Sequence, residues 1–335
     1  MHSKRYLLPL AVIAALCAPP SASRAQNEAS APRASTDQPT VVLTVTVTDK
    51  KGRFVNGLAR EDFAVFEDSA EREVVALSAE RVPASVGVVF DMSGSITYSS
   101  GNEVDAARRA VLELAKHGDK ADEYFIMGFN NGTHLLTDWT HDSLAVADGL
   151  NALPALQGKG AMRTALYDAM YEGLSKVKEG ANPKRVLLVV TDGQDNISRH
   201  KFEEVRRLAA AGGTLVYVLG IYSHETMGYG PSEVPMRKLE ELCRATGGQS
   251  FAVESVRPML KSPGTKAALA EIKTALETIA LELRSQYSLS FRPSPPAARK
   301  GEWRRVAVKV RQPRRPDKTY PARAREGYVS GVDAP

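Results

Sequence analysis

Three short stretches carry the residue types able to do chemistry. VGVVFDMSGSI, residues 86–96, drives an apolar run into Asp91 and follows it with Ser93 and Ser95. GKGAMRTALYDA places Thr164 in a glycine-rich loop, and VVTDGQDN ends a second apolar run on Thr191 and Asp192. Gathered at one place, Asp91, Ser93, Ser95, Thr164 and Asp192 make an all-oxygen donor set. Hard oxygens suit Mg²⁺, Mn²⁺ or Ca²⁺ better than zinc, and Mg²⁺ in particular keeps waters in its shell. Each residue by itself also fits a plain turn or helix cap, because Asp, Ser and Gly are common turn formers. Asp195 and Asn196 are candidates for polar support behind the ligands.

Bringing the three stretches to one rim is a task for the surrounding elements. From 85 to 286 apolar runs alternate with amphipathic ones. VGVVFD, EYFIMGFN, KRVLLVVTD, TLVYVLGIY and QSFAVES read as strands, with THLLT a short additional segment. EVDAARRAVLELAKH, DSLAVADGLNAL, TALYDAMYEGLSKVK, FEEVRRLAAAG, PMRKLEELCRATGG and KAALAEIKTALETIALELRSQ read as helices. Strands that are apolar almost throughout and separated by helices imply a doubly wound, mainly parallel sheet covered on both faces. Ligands of such sheets gather at the carboxyl ends of the strands.

Both flanks have a period of two. VVLTVTVTD turns Val41, Leu43, Val45 and Val47 one way, and DFAVFED and EREVVALSAE follow as strands. Beyond 286 come QYSLSFRP, EWRRVAVKVRQ and TYPARAREGYVS. Each set is too small for a stable sheet of its own. The expected fold class is therefore α/β, a doubly wound domain over 85–286 inserted in a small β-rich domain in which 40–84 pairs with 287–330. A separate hairpin at each end is the alternative.

The first residues follow another logic. Lys4 and Arg5 precede an apolar run from Tyr6 to about Ala18, and Ser23 and Ala25 supply small residues before Gln26. This is the pattern of a signal peptide over 1–25, too short to span a bilayer comfortably. Leu16 before Cys17 disfavours a lipid anchor, and no transmembrane anchor is expected after cleavage. Residues 26–39 are small and polar and read as a disordered leader. Removing 1–25 lowers Lys+Arg from 44 to 41 against 39 Asp+Glu, so the net charge falls from +5 to +2. The stretch RQPRRPDK stays locally basic, but no aromatic-interleaved basic stripe or binding motif is visible, and no nucleic-acid partner is expected. Cys243, alone after cleavage, cannot form an internal disulfide and reads as a buried structural thiol.

The order D-x-S-G-S, then threonine, then aspartate, met here as Asp91, Ser93, Ser95, Thr164 and Asp192, resembles the metal-ion-dependent adhesion site of von Willebrand factor A domains. The resemblance covers about 85–286, and with its flanks the chain is similar to the exported VWFA-related acidobacterial type. It implies that Ser93, Ser95 and Thr164 touch the metal while Asp91 and Asp192 act largely through water. It further implies a protein partner whose Asp or Glu carboxylate completes the metal's octahedron. The chain is then an adhesion-type binding module and not an enzyme, exported to the periplasm or secreted. Arg163 departs from the family, where a smaller residue is usual; it either recruits an acidic ligand or crowds the site. In integrin-type domains the helix equivalent to 266–286 shifts with the metal's ligands, whereas a helix that simply covers the sheet is the plainer reading.

Two other functions stay open, a metal-dependent hydrolase and a structural interaction module with an unoccupied site. An aspartyl phosphatase wants a second aspartate where Ser93 stands, and no G-x-S-x-G elbow, H-E-x-x-H or Walker loop occurs. The six histidines are scattered, and only His134 or His141 is available as a base for a Ser93 nucleophile. Asn131-Gly132-Thr133 and Asn196-Ile197-Ser198 fit the glycosylation acceptor pattern.

Overall fold

The computed structural model describes residues 40–157, 163–222, 233–255, 263–294 and 301–331. The expected signal peptide and leader lie outside the described residues. The chain opens with β1 (Val41–Val47), β2 (Phe63–Glu67), β3 (Ala70–Arg72) and β4 (Val74–Ser78). Then come β5 (Ala84–Asp91), α1 (Gly94–Lys116), β6 (Glu123–Phe129), β7 (Thr133–Thr140), α2 (Ser143–Ala152) and α3 (Leu166–Val177). β8 (Lys184–Thr191), α4 (Phe202–Gly212), β9 (Leu215–Tyr222), α5 (Glu233–Thr246), β10 (Ser250–Glu254) and α6 (Pro263–Ser285) complete the alternation. β11 (Tyr287–Phe291), β12 (Trp303–Gln312), β13 (Arg315–Tyr320), β14 (Ala322–Arg323) and β15 (Gly327–Val329) follow.

Six strands form one sheet in the order β10-β9-β8-β5-β6-β7. All neighbours are parallel except β6 and β7, so the THLLT segment is an antiparallel edge strand. β5 comes first along this sheet's sequence yet lies inside it, with β8 on one side and β6 on the other. The chain therefore winds outward in both directions, which opens a crevice at the carboxyl end of β5.

Every residue of β5 is buried, because helices cover both faces. Val86, Val88 and Phe90 pack with Val104, Val146 and Ile272 on the side of α1, α2 and α6. Val89 points the other way, among Met170, Val205 and Leu242 of α3, α4 and α5, and Cys243 is buried in this second core as a free thiol. Burying each large aliphatic side chain contributes about 1.5–3 kcal/mol. Gly87 is required on that face because a Cβ there would stand 2.3 Å from the Phe125 ring. Along α6, Ile272, Leu276 and Ile279 are buried and Leu269 and Leu283 partly so, as expected of a covering stripe. α1 starts at Gly94, well before the predicted Glu103, and one residue in it, Ser100, is non-helical (φ −141°, ψ 31°).

The flanks form two sheets, β14-β1-β11-β4 and β13-β12-β2-β3 with β15 on β12. Strands from before and after the α/β unit meet in both, alternating in the first sheet, where β1 pairs with β11, and joining at the β2–β12 pair in the second. The two sheets share one core, in which Leu43, Val45, Leu289 and Phe291 meet Val65, Val306, Val310 and Tyr328. The Phe63 and Tyr287 rings cross edge to face at 5.2 Å. Two segments read as single strands are broken. EREVVALS divides at Glu73, and TYPARAREGYVS divides into β13, β14 and β15, so that the chain passes from one sheet to the other each time. Such corners leave no mark on a period-two pattern.

One buried acid locks this β region. Glu67 accepts from Arg304 Nη1 at 3.1 Å, Arg72 Nε at 2.8 Å and Ser294 N at 2.8 Å, and from the Tyr328 hydroxyl. Burial alone would raise its carboxyl, but the donors around it win and hold it at about 2. Glu67→Ala strands a buried guanidinium. It is expected to cost about 3–5 kcal/mol in denaturant unfolding, the usual penalty for breaking a buried pair from one side.

Candidate metal centre

Asp91 ends β5 and Thr191 ends the adjacent β8, so the parallel register delivers both runs to the same rim (Phe90 beside Val190). Asp91 is completely buried. Its Oδ1 accepts from the Ser93 backbone N–H at 2.9 Å and its Oδ2 from the Thr191 hydroxyl at 2.8 Å. The Ser93 and Ser95 hydroxyls lie 3.1 Å apart, and Ser95 in turn hydrogen-bonds the Asp192 carboxylate. Asp192 Oδ1 accepts from Gln194 N at 3.0 Å, in a turn that Gly193 makes possible with φ +83°. Asp192 Oδ2 is buried and has no hydrogen-bond partner among the described residues.

Thr164 reaches this rim through its backbone. Its N–H donates to Asn196 Oδ1 at 2.9 Å, and its carbonyl accepts from Asn196 N at 3.0 Å and Ile197 N at 3.3 Å. The next N–H, of Ala165, donates to the carbonyl of Asn130 just past β6 at 2.8 Å, and Met92 N ties the Asp91 loop to Phe129 O at 2.7 Å. The three stretches singled out in the sequence are thus stitched into one loop cluster. Thr164 is buried, and its hydroxyl forms no hydrogen bond among the described residues. Asp195 accepts from Tyr167 N at 3.3 Å and from the Ser198 hydroxyl. Asp168 holds His200 through both N and Nδ1 at 2.8 Å, with the His200 ring stacked on Tyr171. Thr191 and Asn130 support the cluster although sequence reasoning gave them no role; only their places at strand ends hinted at it. Arg163 is exposed beside Thr164.

His141 is directed away from a catalytic role, since its ring bonds the Asp122 carbonyl before the amino end of β6, the opposite rim. His134 is exposed on β7 beside Gly128.

The electrostatics ask for a cation. Burial raises Asp91, and the charge of Asp192 raises it further, to about 7, against the Ser93 and Thr191 hydrogen bonds. Burial also raises Asp192, opposed by its bonds from Gln194 and Ser95. Two buried carboxylates that repel each other, one with an oxygen lacking any donor, fit a divalent ion held by oxygens. Among the described residues no group of three or more His, Cys, Asp or Glu side chains is placed to hold a metal.

Residues 86–194 match the family model described as the von Willebrand factor type A domain. No curated protein matches the chain. Among solved structures it is similar to BatB, a conserved hypothetical protein of Bacteroides thetaiotaomicron, at 19% identity and a TM-score of 0.42, over 58% of this chain and 99% of that one. It is similar to the vWF domain of the type V pili tip protein Mfa5 of Porphyromonas gingivalis at 10% identity and a TM-score of 0.45, over 61% and 97%. Proximal thread matrix protein 1 of the mussel byssus, with zinc in its MIDAS motif, is similar at 20% identity and a TM-score of 0.43, over 62% of this chain; the chain spans 49% of that protein.

Repulsion at the rim gives a signed pH dependence. Asp91 holds its proton to about pH 7 in the native state against an ordinary 3.8, so the native state binds more protons between those values. The metal-stripped chain therefore loses stability as pH rises through that window. Glu67, held down at about 2, acts in the opposite sense but only below its ordinary 4.5. Asp192→Asn removes the opposing charge. In denaturant unfolding it is expected to flatten the decline and to stabilise the metal-free chain at neutral pH by about 1–3 kcal/mol.

Proposed function

We propose that this chain, whose α/β core carries a von Willebrand factor type A domain, is an exported binding module that engages an acidic protein group through a divalent cation. The observation that carries the reading is the buried Asp192 oxygen without a donor, set beside Asp91 in an all-oxygen cluster. Asp91, Ser93, Ser95, Thr164 and Asp192 would hold the ion, Mg²⁺ or else Mn²⁺ or Ca²⁺. Once bound, the ion supplies a positive centre to which a carboxylate from outside can add.

The chain's own residues prepare that centre. Asp91 offers charge while the Ser93 amide and Thr191 hydroxyl fix its orientation. Neutral hydroxyls in place of further carboxylates leave the ion's charge incompletely cancelled, so it retains attraction for an Asp or Glu of a partner. Asn196 and Asn130 hold the Thr164 loop from two sides, which limits rearrangement when a ligand arrives. Arg163, exposed at the edge, adds a positive charge facing such a partner. The signal peptide over 1–25 would send the module to the periplasm or beyond the cell. Among the described residues no helix is long and apolar enough to cross a membrane. A binding role is favoured over hydrolysis because Asp91 and Ser93 bond hydroxyls, amides and each other, with no histidine as base among the described residues.

Calorimetric titration of Mg²⁺ and Mn²⁺ into the metal-stripped chain tests this. A single ion is expected to bind, and Asp91→Ala and Thr164→Ala are expected to abolish binding while keeping the circular dichroism of the parent. Undiminished binding in both variants would place the ion elsewhere, and no binding in the folded parent would count against the reading.

A further inference from the structure

The basic stretch near the carboxyl end is left unexplained by the metal centre, and the structure gives it a face. Along β12 burial alternates residue by residue. Arg304, Val306 and Val310 turn inward, and Trp303, Arg305, Lys309 and Arg311 turn outward. The hairpin to β13 adds Arg314 and Arg315, both exposed. An aromatic and basic stripe therefore exists that the linear sequence had concealed, because Arg304 and the valines interrupt it. Arg304 leaves the stripe altogether, since its guanidinium is committed to Glu67.

Three features separate this face from an ordinary charged surface. The five outward cations form no ion pair among the described residues. Along β12 and β13 Asp317 is the single acid, and Asp68, which accepts from Arg305 N at 3.0 Å, and Glu71 beside Phe66 stand at the far edge, so cations outnumber acids on this face. Trp303 is 46% exposed although it lies over Gly327, where a Cβ would stand 2.4 Å from its ring. Charged edge strands commonly serve only to prevent sheet-to-sheet association, but that purpose does not need an exposed indole in line with the cations.

We propose that the outer face of β12 and its hairpin with β13 docks on an anionic phospholipid surface. Successive outward side chains on a strand stand about 7 Å apart on a single plane, which suits headgroups arrayed in a plane. Basic side chains gain from anionic headgroups, and indole rings favour the interfacial layer. A single-stranded polyanion is served less well. Its usual binders offer a groove with several stacking rings, whereas this face has one exposed indole at one end, and neither the cavity between α1 and α6 nor the one between β10 and α6 borders it. Lys309 rests over the Phe66 ring at 4.8 Å, which holds its ammonium above the sheet. The proposal is independent of the metal centre.

Cosedimentation of the chain from Gln26 onward, which retains every described residue, tests it. The probes are vesicles of mixed phosphatidylglycerol and phosphatidylcholine, and of phosphatidylcholine alone. Binding to the mixed vesicles only, weakened by salt, is expected. The triple variant Lys309→Gln, Arg311→Gln, Arg314→Gln is expected to bind roughly a hundredfold more weakly, at roughly fivefold per cation. A control triple, Lys51→Gln, Lys120→Gln, Arg237→Gln, removes the same charge elsewhere and is expected to bind like the parent. All these side chains are exposed, and unchanged melting curves verify folding. Equal losses in the two triples, binding to phosphatidylcholine alone, or tighter capture by single-stranded DNA than by mixed vesicles would overturn the proposal.

Discussion

Two like charges buried against each other are the constraint around which this protein is organised. Asp91 and Asp192 are both buried, burial makes each harder to ionise, and the charge of Asp192 raises Asp91 further. A chain that needed only a turn after β5 would have no reason to carry an acid to a fully buried position. It does so at a cost in stability that hydroxyls and amides only partly offset: Thr191 and the Ser93 amide on Asp91, Ser95 and the Gln194 amide on Asp192. The remainder, an oxygen of Asp192 with no donor among the described residues, has the sign that a cation would answer. The helices that bury β5 on both faces are also what keep Asp91 from being hydrated.

The opposite end of the α/β unit shows how the flanking sheets are joined to it. Glu282, in the last turns of α6, accepts from Thr46 of β1 at 2.8 Å, from Tyr217 of β9 at 2.9 Å and from Arg323 of β14. Arg323 continues to Gln249 Oε1 at 2.9 Å, and Lys184 at the start of β8 caps α6 through the Leu283 carbonyl at 2.7 Å. One buried carboxylate therefore ties a helix, the central sheet and the terminal strands together. The Thr46, Tyr217 and Arg323 donors all meet Glu282 Oε1, while Glu282 Oε2 and Gln286 Oε1 are buried without a partner among the described residues, so the network is satisfied only in part. Both ends of the domain rest on buried acids, and at the Glu282 end the chain itself supplies a cationic partner, Arg323.

Much of this was legible in the sequence, for physical reasons that differ between elements. Apolar runs ending in Asp or Thr announced β5 and β8 because a strand buried on both faces cannot alternate. Val41, Leu43, Val45 and Val47 alternate because β1 has one inner face, and they are all buried. Thr46 breaks that rule and is buried too, since its hydroxyl meets Glu282, a residue distant in sequence. Asn130 acts through its backbone carbonyl, which no residue type reveals. Asn196 was suspected of support, but its grip on both backbone groups of Thr164 depends on how two loops meet. The sheet-switching corners at Glu73 and Pro321 were invisible for the same reason: pairing partners, not local pattern, decide where such a strand stops.

The central claim, that a divalent cation completes the Asp91 and Asp192 pair, is tested most directly by anomalous diffraction from crystals of the protein grown with Mn²⁺. The account predicts one strong peak within coordination distance of the Ser93, Ser95 and Thr164 hydroxyls and beside both carboxylates. A rim with no such peak at saturating Mn²⁺, or a peak bound to other side chains, would contradict it.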